Sequence, residues 1–152
     1  MKKIVWIVLF LSFNLKAAVS KSDFSLVISI IHKNFSPFSH QNNRKLKFYT
    51  DYKSDWAQAF ARRWDDDEIH LYGGFARIKN ASVDSLALII CHELGHLYAG
   101  APYSNQDLKL TVEGMADYWA TSACLPKIMP ELPDLSKGLT NFQVNHKFKS
   151  VH

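Results

Sequence analysis

Apolar positions along this chain recur with two different periods. Phe24, Leu26, Val27, Ile30, Ile31 and Phe35 fall at i, i+3, i+4 and i+7 spacing, which predicts an amphipathic helix over residues 23–35, ended by Pro37. The polar turn Asn42-Asn43-Arg44-Lys45 leads into Leu46–Thr50, which alternates as a strand does. Two more strands are expected at Ala57–Ala61 and Ile69–Tyr72, with the acidic run Asp65-Asp66-Asp67-Glu68 between them. That run lacks the spaced oxygen ligands and the glycine of a calcium loop, so it reads as a solvated turn. Gly73-Gly74 then interrupts the strand and admits another backbone at close range. An extended peptide adding itself to a sheet edge would need such an approach.

The next stretch is different in kind. Leu86, Ala87, Leu88, Ile89, Ile90, Leu94 and Leu97 make a helix from Val83 to Tyr98 apolar nearly all round, so it belongs in the middle of its domain. Ser82 or Asp84 can cap it, and Gly100 and Pro102 stop it. Tyr103–Leu110 is a polar connection. Thr111 is the expected N-cap of a further helix from Val112 to Cys124, terminated by Pro126. Residues 125–152 hold three of the five prolines and are expected to be irregular. The fold class that follows is α+β, a small antiparallel or mixed sheet packed on a central helix with a second helix beside it.

That central helix carries chemistry that an apolar core does not need. His92 and His96 lie one turn apart, within about 40° of each other at about 100° per residue. Two imidazoles on one face can grip a zinc ion, and Glu93 beside them can take a proton from a water that the metal activates. Glu113 supplies the third ligand that two histidines lack. Asp117, one turn further on, suits a carboxylate that hydrogen-bonds a ligand histidine. Buried imidazoles and carboxylates are expensive unless paired or metal-bound, which favours this reading over core histidines. Gly95 costs its helix about 1 kcal/mol relative to Ala, and close packing beneath the metal would compensate. His32, His40 and His70 read as ordinary surface or strand-face histidines.

Charge and composition then change the picture in one respect. The formal charge of +4 looks basic, but Lys2, Lys3 and Lys16 belong to an N-terminal segment with no acidic residue; without them 15 basic face 14 acidic side chains. Nucleic-acid binding therefore has little support. Lys2-Lys3 followed by the apolar run Ile4–Phe13 reads as a secretory signal of bacterial type over residues 1–20, cleaved near Ala17–Ser20. The run is short for a span that needs about twenty residues, so no stable membrane anchor is expected after cleavage. The remainder, 21–152, is expected to be a single domain, periplasmic or secreted. The only two cysteines, Cys91 and Cys124, would be exported with it, where disulfides persist. Two straight antiparallel helices with level ligands would leave them about 12 Å from bridging, whereas a crossing or a bend would close the gap. The sequence leaves the bridge open.

HELGH at 92–96 followed by EGMAD at 113–117 resembles the gluzincin pattern of zinc metallopeptidases. The order AQAFA (57–61), Gly73-Gly74-Phe75 and then the metal helix is similar to the catalytic domain of CAAX-prenyl-protease and heat-shock membrane peptidases. Gln58 stands where those have Asn, and the short form looks most like the minigluzincins. The resemblance covers about residues 56–124. It implies a zincin-like fold, one zinc held by His92, His96 and Glu113, Glu93 as general base, and Asp117 fixing the tautomer of His92. It also implies a peptide or protein substrate and a further donor for the oxyanion, with Tyr98, Tyr103, Tyr118, His146 and His152 as candidates. The leading expectation is thus a zinc endopeptidase. The alternative is a zinc-stabilised, non-catalytic binding or inhibitory module, since a small domain leaves little room for a cleft. A third expectation is a latent enzyme whose tail from Leu125 onward covers the site.

Overall fold

The structure, a computed structural model, describes residues 18–133. Most of the expected signal segment, and His146 and His152, lie outside the described residues.

Helix α1 (Lys21–Gln41) starts at Ser20, whose hydroxyl accepts the Asp23 backbone N–H at 3.1 Å. It continues through Pro37, beyond the end expected at residue 35. Proline removes one ladder hydrogen bond, but the residues after it are held from outside the helix. Phe38 packs against Phe35 and Tyr98, at centroid distances of 5.6 and 5.7 Å, and buried Ser39 donates to Asp67 at 2.7 Å. Tertiary contacts thus override the local stop.

The sheet comprises β1 (Leu46–Asp51), β2 (Ala59–Arg63) and β3 (Asp67–Tyr72) in the order β1-β3-β2. It is mixed, with β1 parallel and β2 antiparallel to the central β3. Along β3, Asp67, Ile69 and Leu71 point into the core, while Glu68, His70 and Tyr72 face outward. His70 stacks between Tyr49 and Phe60 at 4.8 and 4.5 Å. The acidic turn differs from its expected solvated form. Asp66 pairs with Lys47 at 2.6 Å, but Asp67 is fully buried, bonded to Arg63 at 2.7 Å and to Ser39 at 2.7 Å. Arg63 brings the compensating charge inside, which makes that burial affordable.

Gly73-Gly74 opens a 3₁₀ turn, Gly73–Arg77. A Cβ on Gly73 would fall 1.9 Å from the Tyr52 carbonyl oxygen, and one on Gly74 would fall 2.3 Å from the Trp56 carbonyl. The backbone these glycines admit is therefore the chain's own 52–56 segment, not an incoming peptide.

Helix α2 (Val83–Tyr98) begins with a reciprocal cap between Ser82 and Ser85. Leu86, Ile90 and Leu94 share one buried core with Phe24, Val27, Ile31 and Phe35 of α1 and with Ile69 and Leu71 of β3. Where a polar connection was expected, β4 (Tyr103–Asn105) and β5 (Leu110–Thr111) form a small hairpin. Thr111 is paired there and its hydroxyl donates to the Gly100 carbonyl at 2.7 Å, so Val112 and not Thr111 is the N-cap of α3 (Glu113–Trp119). A π-helical turn, Ala120–Cys124, follows and leads straight into α4 (Leu125–Ile128). Pro126 does not end the helical path, because it sits in the first turn of α4, where its missing N–H costs little. Cys91 and Cys124 form a disulfide with a Cα–Cα distance of 5.6 Å. Gly95 meets Ala116 while Cys91 meets Cys124, four residues along one helix against eight along the other segment. The two segments therefore do not run straight, level and antiparallel, the arrangement that would keep these cysteines apart. Among the described residues no helix is long and apolar enough to cross a membrane.

Candidate metal centre

The site lies where α2, α3 and the edge strand β2 meet. The one-turn spacing on α2 sets the rings of His92 and His96 perpendicular, 4.8 Å apart, with both Nε2 atoms turned to one point 3.1 Å from each other. Val112 turns the chain so that Glu113, the first residue of α3, reaches the same point. Its carboxylate oxygens stand 3.2 Å from His92 Nε2 and 3.5 Å from His96 Nε2. α3 can come this close because Gly95 has no side chain. A Cβ there would sit 2.7 Å from the Ala116 backbone.

The outer nitrogens decide the protonation. His92 Nδ1 lies 2.8 Å from Asp117 Oδ1, and His96 Nδ1 lies 2.8 Å from the Thr111 carbonyl. A carboxylate and a carbonyl only accept, so both Nδ1 atoms carry the proton and donate. Both Nε2 atoms are thereby turned toward each other and toward the Glu113 carboxylate, and His92, His96 and Glu113 can hold a metal ion.

Glu93 sits beside this set and is 8 % exposed. Burial holds its carboxyl above the usual carboxylate range, while His92, His96 and the Ala61 backbone pull it partly back. Glu113 and Asp117, by contrast, have side chains 78 % and 73 % exposed, so the centre is open to solvent on the α3 side. Two cavities share its residues. One of about 390 Å³ is lined by Phe60, Ala61, His96, Ser104, Leu110 and Glu113. The other, of about 430 Å³, runs along α2 toward its N-terminal end.

All five residues singled out from the sequence, His92, Glu93, His96, Glu113 and Asp117, are brought together. The oxyanion candidates fare differently. Tyr98 hydrogen-bonds Ser39 at 2.5 Å in a buried network that also includes Asp67, and burial pushes its hydroxyl well above the usual tyrosine range. Tyr103 lines a separate polar cavity with Arg44 and Lys109. Tyr118 is 65 % exposed on α3 and lines neither cavity at the centre. His146 and His152 lie outside the described residues. Sequence reasoning missed the Thr111 carbonyl and the Ala61 backbone. Both act through main-chain atoms, which leave no mark on residue type. Arg63 was also missed, and the only hint was its position in register with Asp67 across a tight turn.

Compared with protein-family models, curated proteins and solved structures, the chain matches none.

Proposed function

We propose that this protein is a zincin-like, zinc-dependent endopeptidase of gluzincin type, acting in the periplasm or outside the cell. The observation that carries the reading is the convergence of two Nε2 atoms and one carboxylate beside a buried glutamate that has no ion-pair partner among the described residues. One ligand atom from each of His92, His96 and Glu113 lies within 4.8 Å of the others, close enough for a single ion bound at about 2.0–2.1 Å to draw all three in. Three protein ligands leave a fourth position open, the arrangement of catalytic rather than structural sites.

His92, His96 and Glu113 would hold the zinc. When bound, it supplies Lewis acidity that polarises a peptide carbonyl and acidifies water. Asp117 and the Thr111 carbonyl keep the Nδ1 protons in place, so both rings present the same nitrogen throughout. Glu93 holds the mobile proton. Its carboxylate accepts a proton from the attacking water and returns it to the departing amine, and its raised affinity for protons suits that exchange. The free edge of β2, which passes beside His92 and Glu93, is where an extended substrate would add main-chain hydrogen bonds. The disulfide between Cys91 and Cys124 ties the two ligand-bearing segments together and accords with an oxidising compartment.

The test is a digest of a mixed peptide library by the purified mature chain, with metal content measured in parallel. About one zinc per chain, and cleavage that a chelator abolishes and added zinc restores, is the expected result. One zinc with no cleavage of any peptide would replace the proposal by a zinc-stabilised binding module.

A further inference from the structure

The outer face of the sheet carries a stripe of side chains laid out along β2 and its two flanks. Within β2 the register sets Phe60 opposite His70 and Arg62 opposite Glu68. The same register continues past both ends of the strand. Tyr72 and Gly74 donate to the Gln58 and Trp56 carbonyls at 3.0 and 2.9 Å, and Trp64 donates to the Asp66 carbonyl at 3.1 Å. Side chains of a strand alternate between its faces, so Trp56, Gln58, Phe60, Arg62 and Trp64 share one. It is the face of Glu68, His70 and Tyr72, turned away from the core.

That stripe stands in solvent. Trp56 is 66 % exposed, Trp64 54 %, and Tyr49 of β1, on the same face, 46 %. Leaving two tryptophans in water forfeits a large gain from burial, and patches of this kind mark contact sites. The rings are nevertheless held in place. His70 stacks between Tyr49 and Phe60, Trp56 packs against Tyr72 with centroids 5.8 Å apart, and the Arg62 guanidinium lies 4.8 Å over Trp64. A surface ordered in advance loses little entropy when a ligand settles on it.

The kind of ligand follows from what alternates. Rings at 56, 60 and 64 offer apolar surface, and Gln58 and Arg62 between them offer planar hydrogen-bonding groups. A sugar ring, with its C–H face and its rim of hydroxyls, matches both. The charges cancel, since Lys47 pairs with Asp66 at 2.6 Å and Arg62 stands opposite Glu68. Such a balance exerts no pull on nucleic acid or on an anionic lipid surface. From Trp56 to Trp64 the strand path covers about 26 Å, which spans several sugars in a row. We propose that this stripe binds a neutral linear polysaccharide, with sugar rings on Trp56, Phe60 and Trp64 and hydroxyls on Gln58 and Arg62. Of these five only Phe60 also borders the metal centre, and the proposal does not rest on the peptidase reading.

Calorimetry and tryptophan fluorescence on the full mature chain test this with cellohexaose and chitohexaose, glucose serving as the control. At least one hexasaccharide should bind saturably and at least tenfold more tightly than glucose. Trp56→Ala and Trp64→Ala replace exposed side chains, so the urea midpoint should stay near that of the wild type. Each should weaken hexasaccharide binding at least fivefold. Binding of neither hexasaccharide, or affinities untouched by both substitutions, would overturn the proposal. Two other occupants of the face would overturn it as well. Capture of the chain by phosphatidylcholine vesicles through the same tryptophans, without glycan binding, would make the stripe a lipid contact. A dimer in sedimentation that either substitution dissociates would make it an interface between copies.

Discussion

Gly95→Ala sets two effects of opposite sign against each other at the closest backbone approach of α3 to α2. Alanine favours a helix interior over glycine by about 1 kcal/mol, so in an open position the substitution would stabilise. Here the new Cβ would stand 2.7 Å from Cα and O of Ala116 and 3.1 Å from its carbonyl carbon, against 3.4 Å or more in ordinary contacts. The atoms it meets are backbone of a fully buried residue, which cannot rotate aside as the end of a side chain could. α3 must therefore move outward by roughly 0.7 Å, the shortfall between those two distances. Overpacking of this kind costs about 1–3 kcal/mol, so the net effect is a loss of up to about 2 kcal/mol. The displacement also carries Glu113 and Asp117, which flank Ala116 on α3, away from the histidines. Two assays read it: urea unfolding of the metal-free protein, and zinc affinity by competition with a chelator. The unfolding midpoint should fall and zinc should bind at least tenfold more weakly. A variant about 1 kcal/mol more stable, with unchanged zinc affinity, would refute the seating of α3 on Gly95.

Three further outcomes follow from named contacts. Replacing Cys91 and Cys124 by alanine should lower stability by about 4 kcal/mol on chain-entropy grounds for a separation of 33 residues, read as a urea midpoint against the oxidised wild type. Arg63→Ala strands the fully buried Asp67 without its counter-charge, and a loss of about 3–5 kcal/mol in the same assay is expected. Asp117→Ala removes an exposed carboxylate that holds the His92 proton, so zinc affinity should fall about 10- to 100-fold while the unfolding midpoint of metal-free protein stays within about 0.5 kcal/mol.

How far the sequence could be read depended on whether a feature was local. α2 was legible in extent, since its apolar period and its stop near Gly100 are written close to the element itself, and the structure chooses Ser82 over Asp84 as its cap. The pairing of His92 and His96 was legible because helix geometry turns their spacing directly into a shared face. The end of α1 was not, because Ser39 is held by Asp67, 28 residues away, and no local signal outweighs Pro37. For the same reason Asp67 passed for a solvated turn residue: its partner Arg63 looks like any exposed base until the β2–β3 hairpin closes. The glycine pair was correctly read as a close backbone approach, but only the folded chain shows that the approaching segment is its own. The bridge between Cys91 and Cys124 depended on how the segment after α3 runs past α2, which no residue type in Ala120–Cys124 announces.

The central claim is that a buried glutamate works beside a metal centre built by two helices, and one variant isolates it. Glu93→Gln keeps the size and most of the packing of a side chain that is 8 % exposed but cannot accept the proton. The measurement is zinc content and peptide cleavage on the same sample. About one zinc per chain with cleavage reduced at least a thousandfold is the result the account predicts. Cleavage at the wild-type rate with zinc still bound would contradict it.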